Sequence, residues 1–179
     1  MITSAYSKSP GEKTEAPITI DFQQDEERRL WWPVNDGVMG GRSTGGPDYV
    51  GDQLVFSGVI NTNGGGFSSI RRPVNRGDMA GVKAVTMRIK SDGRAYRLRF
   101  RTNVTYRGRR VAFQKPIVSE TTGQWETVTV ELENMRASLF GRRLMGAKFK
   151  SADIMEMGFI LADGQDGAFR LEVDWISFE

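Results

Sequence analysis

The sequence predicts an all-β protein, an antiparallel β-sandwich of jelly-roll type with little helix. Three observations lead to this fold class. Short segments with alternating apolar and polar residues recur along the chain, clusters of Gly, Asp and Asn separate them, and almost no stretch has the period of an amphipathic helix. About nine strands at such short spacing favour two stacked sheets over a closed barrel.

Each predicted strand has this alternation or is a short apolar run bounded by turn residues. In chain order the predicted strands are Ile18–Phe22, Gln53–Ile60, Phe67–Arg71, Ala84–Lys90, Tyr96–Thr102, Val111–Val118, Trp125–Leu132, Met155–Leu161 and Phe169–Phe178. The alternation is clearest in Tyr96–Arg101, where Tyr, Leu and Phe share one face and three arginines share the other. Helix is expected only at Glu133–Leu139 and in a turn near Ala152–Met155.

Two glycine-containing turns are expected to close β-hairpins. Asp92-Gly93 lies between two predicted strands, and Asp163–Gly167 precedes the last strand. Asp-Gly pairs suit hairpin turns because these turns require positive φ.

The chain organisation predicts one folded unit. The polar composition of residues 1–16 predicts a disordered lead-in. Residues 17–179 then form a single β-sandwich domain, because 179 residues are enough to bury one core and no linker or internal repeat interrupts them.

The composition narrows the possible chemistry. The chain has no His and no Cys, which excludes Ser-His-Asp and Cys-His catalysis, disulfides and cysteine-based zinc sites. Asp-Gly turns offer oxygen donors but not in the spacing of a calcium loop. We therefore predict that the protein is not an enzyme and has no metal site or cofactor. No run of about 18 apolar residues is present, so no membrane span is expected.

The positive charge is concentrated in one part of the chain. The net charge is only +3, yet the segment between Asp92 and Glu120 contains no acidic residue. It contains Arg94, Arg97, Arg99, Arg101, Arg107, Arg109, Arg110 and Lys115. Such a one-sided distribution favours an anionic partner.

The most regular part of this charge is a row of three arginines. Arg97, Arg99 and Arg101 alternate along one strand, so their guanidinium groups lie on one sheet face roughly 6.5–7 Å apart. Two interpretations remain open. In one, carboxylates of neighbouring strands neutralise the row. In the other, the row belongs to a concave face that binds carboxylate or phosphate groups.

Other residues on neighbouring strands extend this expectation. Arg88 and Lys90 are expected to widen the basic patch across the Asp92-Gly93 hairpin. The candidate counterions are Glu126, Glu131, Glu172 and Asp174.

The stretch Trp31–Ser43 is a candidate loop site. It combines two tryptophans, a carboxylate and three glycines without helical or strand periodicity. Trp31 and Trp32 offer flat apolar faces and Asp36 a directional acceptor. Alternatively, one tryptophan plugs the end of the sandwich and Asp36 caps backbone amides around Gly37 and Gly40. Trp32 is expected to be the plug and Trp31 the freer of the pair.

A second glycine-rich stretch, Asn61–Arg71, is expected to pass close to the first. Its three successive glycines, 64 to 66, allow a close backbone approach. Arg71 could then pair with Asp36 or bind an anionic ligand, and the sequence does not choose between them. If the loops meet, they form one polar pocket edged by aromatic residues.

Five blocks in a fixed order resemble the complex I intermediate-associated protein 30 family. They are Trp32 with Asn35–Ser43, then Gly65–Arg71, Lys90–Tyr96, the strand containing Trp125, and Met157–Leu161 through Gly167–Ile176. The family is named for a mitochondrial factor that assists assembly of NADH:ubiquinone oxidoreductase. The resemblance implies a galactose-binding-domain-like jelly roll, shared with several carbohydrate-binding modules, and a non-enzymatic helper role.

The chain also departs from that family. It shows no Arg-rich amphipathic leader. Glu131-Leu132 replaces the family's usual Pro-Phe pair after the Trp125 strand. A short, free-standing protein of this kind is expected to be bacterial and cytoplasmic.

We therefore expect a non-catalytic binding or scaffold protein that resembles respiratory complex I assembly factors and acts through contacts with a partner protein of acidic surface. The alternative is a carbohydrate-binding module that uses the concave sheet face, with a glycan as its ligand. Nucleic acid is not favoured, because no stacking pattern of a single-strand binder is evident. The candidate binding residues are Trp31, Asp36, Arg42 and Arg71 around the loops, with Arg97, Arg99 and Arg101 on the sheet.

Overall fold

Two antiparallel β-sheets stack face to face in the computed structural model, which describes residues 18–179. The strands are β1 (Ile18–Asp21), β2 (Trp32–Asn35), β3 (Thr44–Val50), β4 (Gln53–Ile60), β5 (Ser68–Pro73), β6 (Ala84–Ser91), β7 (Tyr96–Tyr106), β8 (Arg109–Pro116), β9 (Trp125–Glu131), β10 (Arg136–Leu139), β11 (Arg142–Arg143), β12 (Ile154–Leu161) and β13 (Gly167–Phe178). The predicted all-β sandwich is confirmed.

The strands divide into a six-stranded and a seven-stranded sheet. The order in the first is β3-β4-β13-β6-β9, with β1 pairing the far end of β13 beside β4. The order in the second is β11-β10-β8-β7-β12-β5-β2. Every pairing is antiparallel. The seven-stranded sheet therefore carries the arginine-rich strand β7 in its middle.

Helical structure in residues 18–179 is limited to short turns. These are the helix α1 (Asp25–Arg28) and two 3-10 turns, Asp36–Met39 and Ser151–Asp153. No helix in this part of the chain has the length and apolar character needed to cross a membrane. The predicted disordered lead-in, residues 1–16, falls outside the described residues.

The core lies between the inner faces of the two sheets. Alternate residues of every long strand point inward, so Leu98 and Phe100 of β7 face Leu171 and Val173 of β13 within one apolar cluster. Tyr96 joins the layers, because its ring lies 6.2 Å from Phe56 and 6.4 Å from Phe169, both on the opposite sheet. The arginines of β7 alternate with these core residues and are directed to the outer face.

All nine predicted strands coincide with observed strands, eight of them to within about two residues at each end, while β7 continues four residues beyond the predicted Thr102. The structure adds the edge strands β2, β3 and β11, and β10, which lies between β11 and β8. The expectation of a helix at Glu133–Leu139 is wrong. Asn134 turns the chain with φ of 57°, and β10 then pairs with β8. Its Met-Arg-Ala-Ser-Leu sequence has helix propensity, but pairing to a sheet edge overrides that preference.

The two expected hairpins are also wrong, because both turns carry the chain from one sheet to the other. Asp92-Gly93 leads from β6 to β7, and the segment 163–167 leads from β12 to β13. Arg94 clamps these crossings together, since its Nε and Nη2 donate to the two carboxylate oxygens of Asp163 at 2.9 and 2.7 Å. Both side chains are largely buried. The clamp fixes the end of the sandwich where β7 begins.

The two adjacent tryptophans have the opposite roles to those expected. Trp31 is only 5% exposed, stacks on Phe159 with ring centroids 5.8 Å apart, and donates from Nε1 to Glu27 at 2.9 Å. Trp32 is 38% exposed. The reason is strand register: Trp32 opens β2 opposite Arg71, which turns its indole to the outer face and leaves Trp31 directed at the core.

Replacing each tryptophan with alanine tests this assignment. Trp31→Ala removes a large buried ring and should lower the free energy of unfolding by about 3–5 kcal/mol. Trp32→Ala should change it by less than about 1 kcal/mol, because the side chain is partly in water already. Urea unfolding followed by circular dichroism measures both, and a larger loss for Trp32→Ala would contradict the register.

Candidate binding face of the seven-stranded sheet

A row of paired residues crosses the outer face of the seven-stranded sheet. From one side to the other, the row consists of Arg136, Gln114, Arg99, Gly158, Arg71 and Trp32. Cross-strand partners share a face, so these positions all point away from the core. The neighbouring row pairs Arg101 of β7 with Glu156 of β12. This face therefore combines several guanidinium groups, one amide and one exposed indole.

Three of these arginines converge on one carboxylate. We call Arg71, Arg99, Arg101 and Glu156 the arginine cluster. The Glu156 Oε1 atom lies 2.7 Å from Nη1 of Arg99 and 3.7 Å from Nη1 of Arg71. The Oε2 atom lies 3.6 Å from Nη1 of Arg101. Among residues 18–179, Glu156 is the one carboxylate within 4.0 Å of these arginines, so the cluster has a formal surplus of two positive charges.

The arginine cluster is partly withdrawn from water. The side chains of Arg99, Arg71 and Arg101 are 6%, 11% and 29% exposed, and that of Glu156 is 12% exposed. Burial lowers the pKa of Arg71 to about 10, with Arg99 and Arg101 adding to the decrease and Glu156 opposing it. Burial likewise lowers the pKa of Arg99. Arginine side chains stay protonated in proteins at neutral pH, so the positive surplus of the cluster persists.

One donor in the cluster lacks an acceptor. In the described part of the chain, the Nε atom of Arg101 is buried and donates to no protein group. Buried donors are normally satisfied, and each unsatisfied one costs free energy. The cluster thus lacks an acceptor for one donor as well as a balancing negative charge.

Two backbone features bring the arginines together. Gly158 separates Arg99 from Arg71 in the cross-strand row and has no side chain to keep them apart. A β-carbon there would overlap the Ile70 carbonyl oxygen. A register shift between Ile154 and Glu156 against β7 marks a β-bulge. Bulges re-aim side chains, and this one aligns Glu156 with Arg101.

The predicted row of three arginines is divided by the structure. Arg99 and Arg101 belong to the cluster, whereas Arg97 lies one row further along, opposite Ile160. Its Nη1 atom is 3.5 Å from the Gln114 side-chain oxygen, a weak contact. Arg97 remains half-buried on the same face.

Two predictions about this basic patch are wrong for the same reason. One named its counterions, and the other extended the patch to Arg88 and Lys90. Glu126, Glu131, Glu172 and Asp174 lie on β9 and β13, in the other sheet. Arg88 and Lys90 lie there too, and they pair with Asp174 at 2.6 Å and with Glu172 at 3.4 Å. Because Asp92-Gly93 changes sheets, none of these groups reaches the arginine cluster.

Glu156 is the residue of the candidate site that the sequence analysis missed. It is the single charged residue in the apolar strand β12, where the sequence reads Ile-Met-Glu-Met-Gly-Phe-Ile-Leu. A lone carboxylate in such a strand signals a specific partner, because charged groups are rarely buried unpaired. The pairing with β7 was not readable, since β12 follows β7 by about 50 residues and strand order is set by the whole fold.

Asp36 holds the two glycine-rich loops together. It is fully buried and accepts hydrogen bonds from the amide and the hydroxyl of Ser43 at 2.9 and 2.6 Å. It also accepts from the amides of Gly66 and Phe67 at 2.6 and 3.2 Å. Burial raises the pKa of this carboxyl, but these hydrogen bonds outweigh it and hold the pKa below its usual value.

This arrangement corrects several expectations about the loops. The loops do meet, but the Asp36 carboxylate fills the space between them, and a β-carbon on Gly41 or Gly65 would overlap it. Asp36 accepts from Ser43, Gly66 and Phe67 rather than from amides around Gly37 and Gly40. Arg71 pairs with Glu156 and not with Asp36. Asp36 therefore stabilises the contact between the two loops. Its carboxylate occupies the space where the sequence predicted an open polar pocket.

Arg42 stands apart from both arrangements. It is exposed on the loop before β3, and no carboxylate of residues 18–179 lies within 4.0 Å of it. The same part of the chain contains no group of three or more Asp or Glu residues arranged to hold a metal ion.

Comparison with known families identifies the chain. The family profile described as complex I intermediate-associated protein 30 matches residues 20–173. The chain belongs to the complex I intermediate-associated protein 30 family. The match covers both sheets, both glycine-rich loops and the whole arginine cluster of this family member. No curated protein matches the sequence at a significant level.

Solved structures similar to this family member include carbohydrate-binding modules. A family 11 module of a cellulosomal cellulase of Clostridium thermocellum has a TM-score of 0.67 at 15% identity and covers 90% of this chain and 94% of its own. The same type of module in complex with a β-1,3-1,4-mixed-linked tetrasaccharide has a TM-score of 0.65 at 15% identity, with 92% and 96% covered. A family 30 module has a TM-score of 0.56 at 14% identity, with 90% and 88% covered. At such low identity the likeness establishes the shared sandwich fold.

Substitution of Asp36 tests whether its carboxylate stabilises the two glycine-rich loops. Asp36→Asn keeps the size of the side chain but replaces one acceptor oxygen with an NH2 group. This group cannot accept the hydrogen bonds that the carboxylate oxygen accepts, so buried donors would lose their acceptor. We expect a loss of roughly 2–4 kcal/mol in the free energy of unfolding at pH 7, with the exposed Asp52→Asn as control.

The loss should depend on pH. Because the folded pKa of Asp36 lies below the unfolded value of 3.8, its stabilisation is complete above that value and disappears as the pH falls through the folded pKa. The difference between Asp36→Asn and the unsubstituted protein should therefore shrink in acid. If Asp36→Asn lowered the free energy of unfolding by less than about 1 kcal/mol at neutral pH, Asp36 would not be what holds the two loops together.

Proposed function

We propose that this family member is a non-catalytic binding protein that receives an acidic segment of a partner protein on the outer face of its seven-stranded sheet, and so supports assembly of a larger complex. The observation that carries the proposal is the convergence of Arg71, Arg99 and Arg101 on the single carboxylate of Glu156. Family membership supports the assembly role, since the family description names a complex I intermediate-associated protein.

The electrostatics of the arginine cluster favour a carboxylate ligand. A surplus of positive charge in a partly buried site is unfavourable by itself, and a second carboxylate would relieve it. Guanidinium groups bind carboxylates through two parallel N–H donors, which fixes geometry as well as adding attraction. The Arg101 side chain is the most exposed of the three, at 29%, and is the one most accessible to such a contact. Asp or Glu side chains of an extended segment fit this chemistry.

The neighbouring residues would help to seat such a segment. Trp32 lies beside Arg71 at the edge of the sheet and offers a partly exposed indole. Gln114 and Arg136 continue the row on the other side of Arg99. Aromatic and arginine side chains are common anchors of protein interfaces. Trp31 and Asp36 are not part of this proposal, because both are buried within the fold.

A carbohydrate-binding role is the second candidate. It is supported by the shared sandwich fold and by Trp32, whose indole could stack on a sugar ring beside hydrogen-bonding side chains. On this row Trp32 is the single aromatic residue, whereas arginines are several. The charge of the face therefore favours the acidic partner. The cytoplasmic location expected from the sequence stays a prediction.

Binding of a short poly-glutamate peptide, measured by fluorescence anisotropy, tests the leading proposal. The Arg71→Gln/Arg101→Gln double variant removes two members of the cluster and should bind the peptide at least roughly ten-fold more weakly. The matched control is Arg88→Gln/Arg170→Gln, which removes equal charge from the six-stranded sheet and should leave binding within about two-fold. Added salt should weaken binding of the unsubstituted protein.

Two results would contradict the proposal. One is equal peptide affinity of the cluster variant and the control variant. The other is binding of a neutral β-1,3-1,4-mixed-linked tetrasaccharide that is insensitive to salt and lost in Trp32→Ala, while the peptide does not bind. The second result would establish the carbohydrate role instead.

A further inference from the structure

Three segments meet at the end of the seven-stranded sheet opposite the Arg94 clamp. The β7–β8 hairpin turns at Arg107-Gly108 and the β10–β11 hairpin turns at Phe140-Gly141. Because β10 runs antiparallel to β8, with Ser138 opposite Ala112, the second turn lies beside the first. The chain from 144 to 150 follows beside β10, with the Leu144 amide donating to the Ala137 carbonyl oxygen at 3.0 Å, and an open cleft of about 530 Å³ lies between this segment and the β7–β8 hairpin. We call this region the hairpin end.

The hairpin end is strongly basic. Its exposed cations are Arg107, Arg109, Arg110, Arg142, Arg143, Lys148 and Lys150. In the range 18–179, none of them has a carboxylate within 4.0 Å. Asp153 lines the cleft and accepts a hydrogen bond from Asn103 at 3.3 Å. The charge of this end therefore faces solvent without internal neutralisation.

Apolar side chains project from the same turns. Met145 is 80% exposed, Phe140 is 64% exposed and Tyr106 is 44% exposed. Phe140 sits at the tip of its turn with φ of 48°, a conformation that bulky residues rarely adopt. Arg109 lies 5.0 Å from the centre of the Phe140 ring, and Arg107 lies 5.4 Å from that of Tyr106. Each exposed ring is thus held beside a guanidinium group.

This combination is suited to an anionic lipid surface. Basic residues near such a surface each strengthen binding by about five-fold, and apolar side chains that enter the headgroup region add to the attraction. Aromatic rings favour the boundary between headgroups and acyl chains. Charge alone would fit any polyanion, but the exposed side chains of Phe140 and Met145 gain free energy only where they leave water.

We propose that the hairpin end docks this protein onto membranes that contain anionic phospholipids. The site is separate from the acidic-peptide face, although Arg143 continues the outer-face row of Arg101, Ala112 and Ser138. A protein attached through the hairpin end would keep its arginine cluster accessible beside the membrane. The proposal does not depend on which partner the cluster binds.

Co-sedimentation with lipid vesicles tests the proposal. The vesicles contain phosphatidylcholine alone or with about 30% phosphatidylserine. The protein should sediment with the anionic vesicles and remain free of the neutral ones. A variant with Arg107→Gln, Arg109→Gln, Arg142→Gln and Arg143→Gln should bind at least roughly 20-fold more weakly. The control carries Arg42→Gln, Arg76→Gln, Arg88→Gln and Arg170→Gln, has the same net charge, and should bind like the unsubstituted protein.

The apolar contribution needs a second variant. Phe140→Ser with Met145→Ser changes exposed side chains only and should weaken vesicle binding at least about five-fold. Undiminished binding of this variant would overturn the proposal, because charge alone would then explain adsorption to any polyanion, nucleic acid or acidic protein included. Failure of the unsubstituted protein to sediment with anionic vesicles would also overturn it. Arg71→Gln/Arg101→Gln should sediment normally, which separates this proposal from that for the peptide face.

Discussion

One carboxylate, that of Glu156, holds three guanidinium groups on the outer face of the seven-stranded sheet. Arg71, Arg99 and Arg101 come from two strands on either side of β12, so Glu156 links β5, β12 and β7. Removing it would leave three like charges close together in a partly buried site. Gly158 keeps the space between these arginines free. The position of the binding face and its charge both follow from this arrangement.

Much of the fold was readable from the sequence, because period-two alternation is a local property. The outward direction of Arg99 and Arg101 follows from it directly. What could not be read is which strands become neighbours. The Asp92-Gly93 turn has the residues typical of a hairpin but joins strands of different sheets. The prediction therefore placed Arg88 and Lys90 beside the arginine cluster, whereas they lie on the six-stranded sheet. The predicted roles of Trp31 and Trp32 were reversed for a similar reason. Only the pairing of Trp32 with Arg71 determines which indole faces the core.

This chain shares its sandwich fold with carbohydrate-binding modules, and the outer face of its seven-stranded sheet carries several arginines. Sugar recognition relies on exposed aromatic rings with a few hydrogen-bonding groups, whereas this face offers one such ring and several arginines. The glycine-containing loop with Asp36 serves folding, because the Asp36 carboxylate accepts hydrogen bonds from Ser43, Gly66 and Phe67. A shared fold thus does not imply a shared ligand, because the individual side chains on the surface determine what is bound.

The most direct measurement of the central claim is nitrogen-15 NMR of the arginine Nε–H groups during titration with a poly-glutamate peptide. The account predicts that the signals of Arg71 and Arg101 shift as the peptide binds, because their guanidinium groups gain a second carboxylate. The signal of Arg94 should stay in place, since Asp163 already occupies its Nε and Nη2 donors. Peptide binding that leaves the Arg71 and Arg101 signals unchanged would contradict the account.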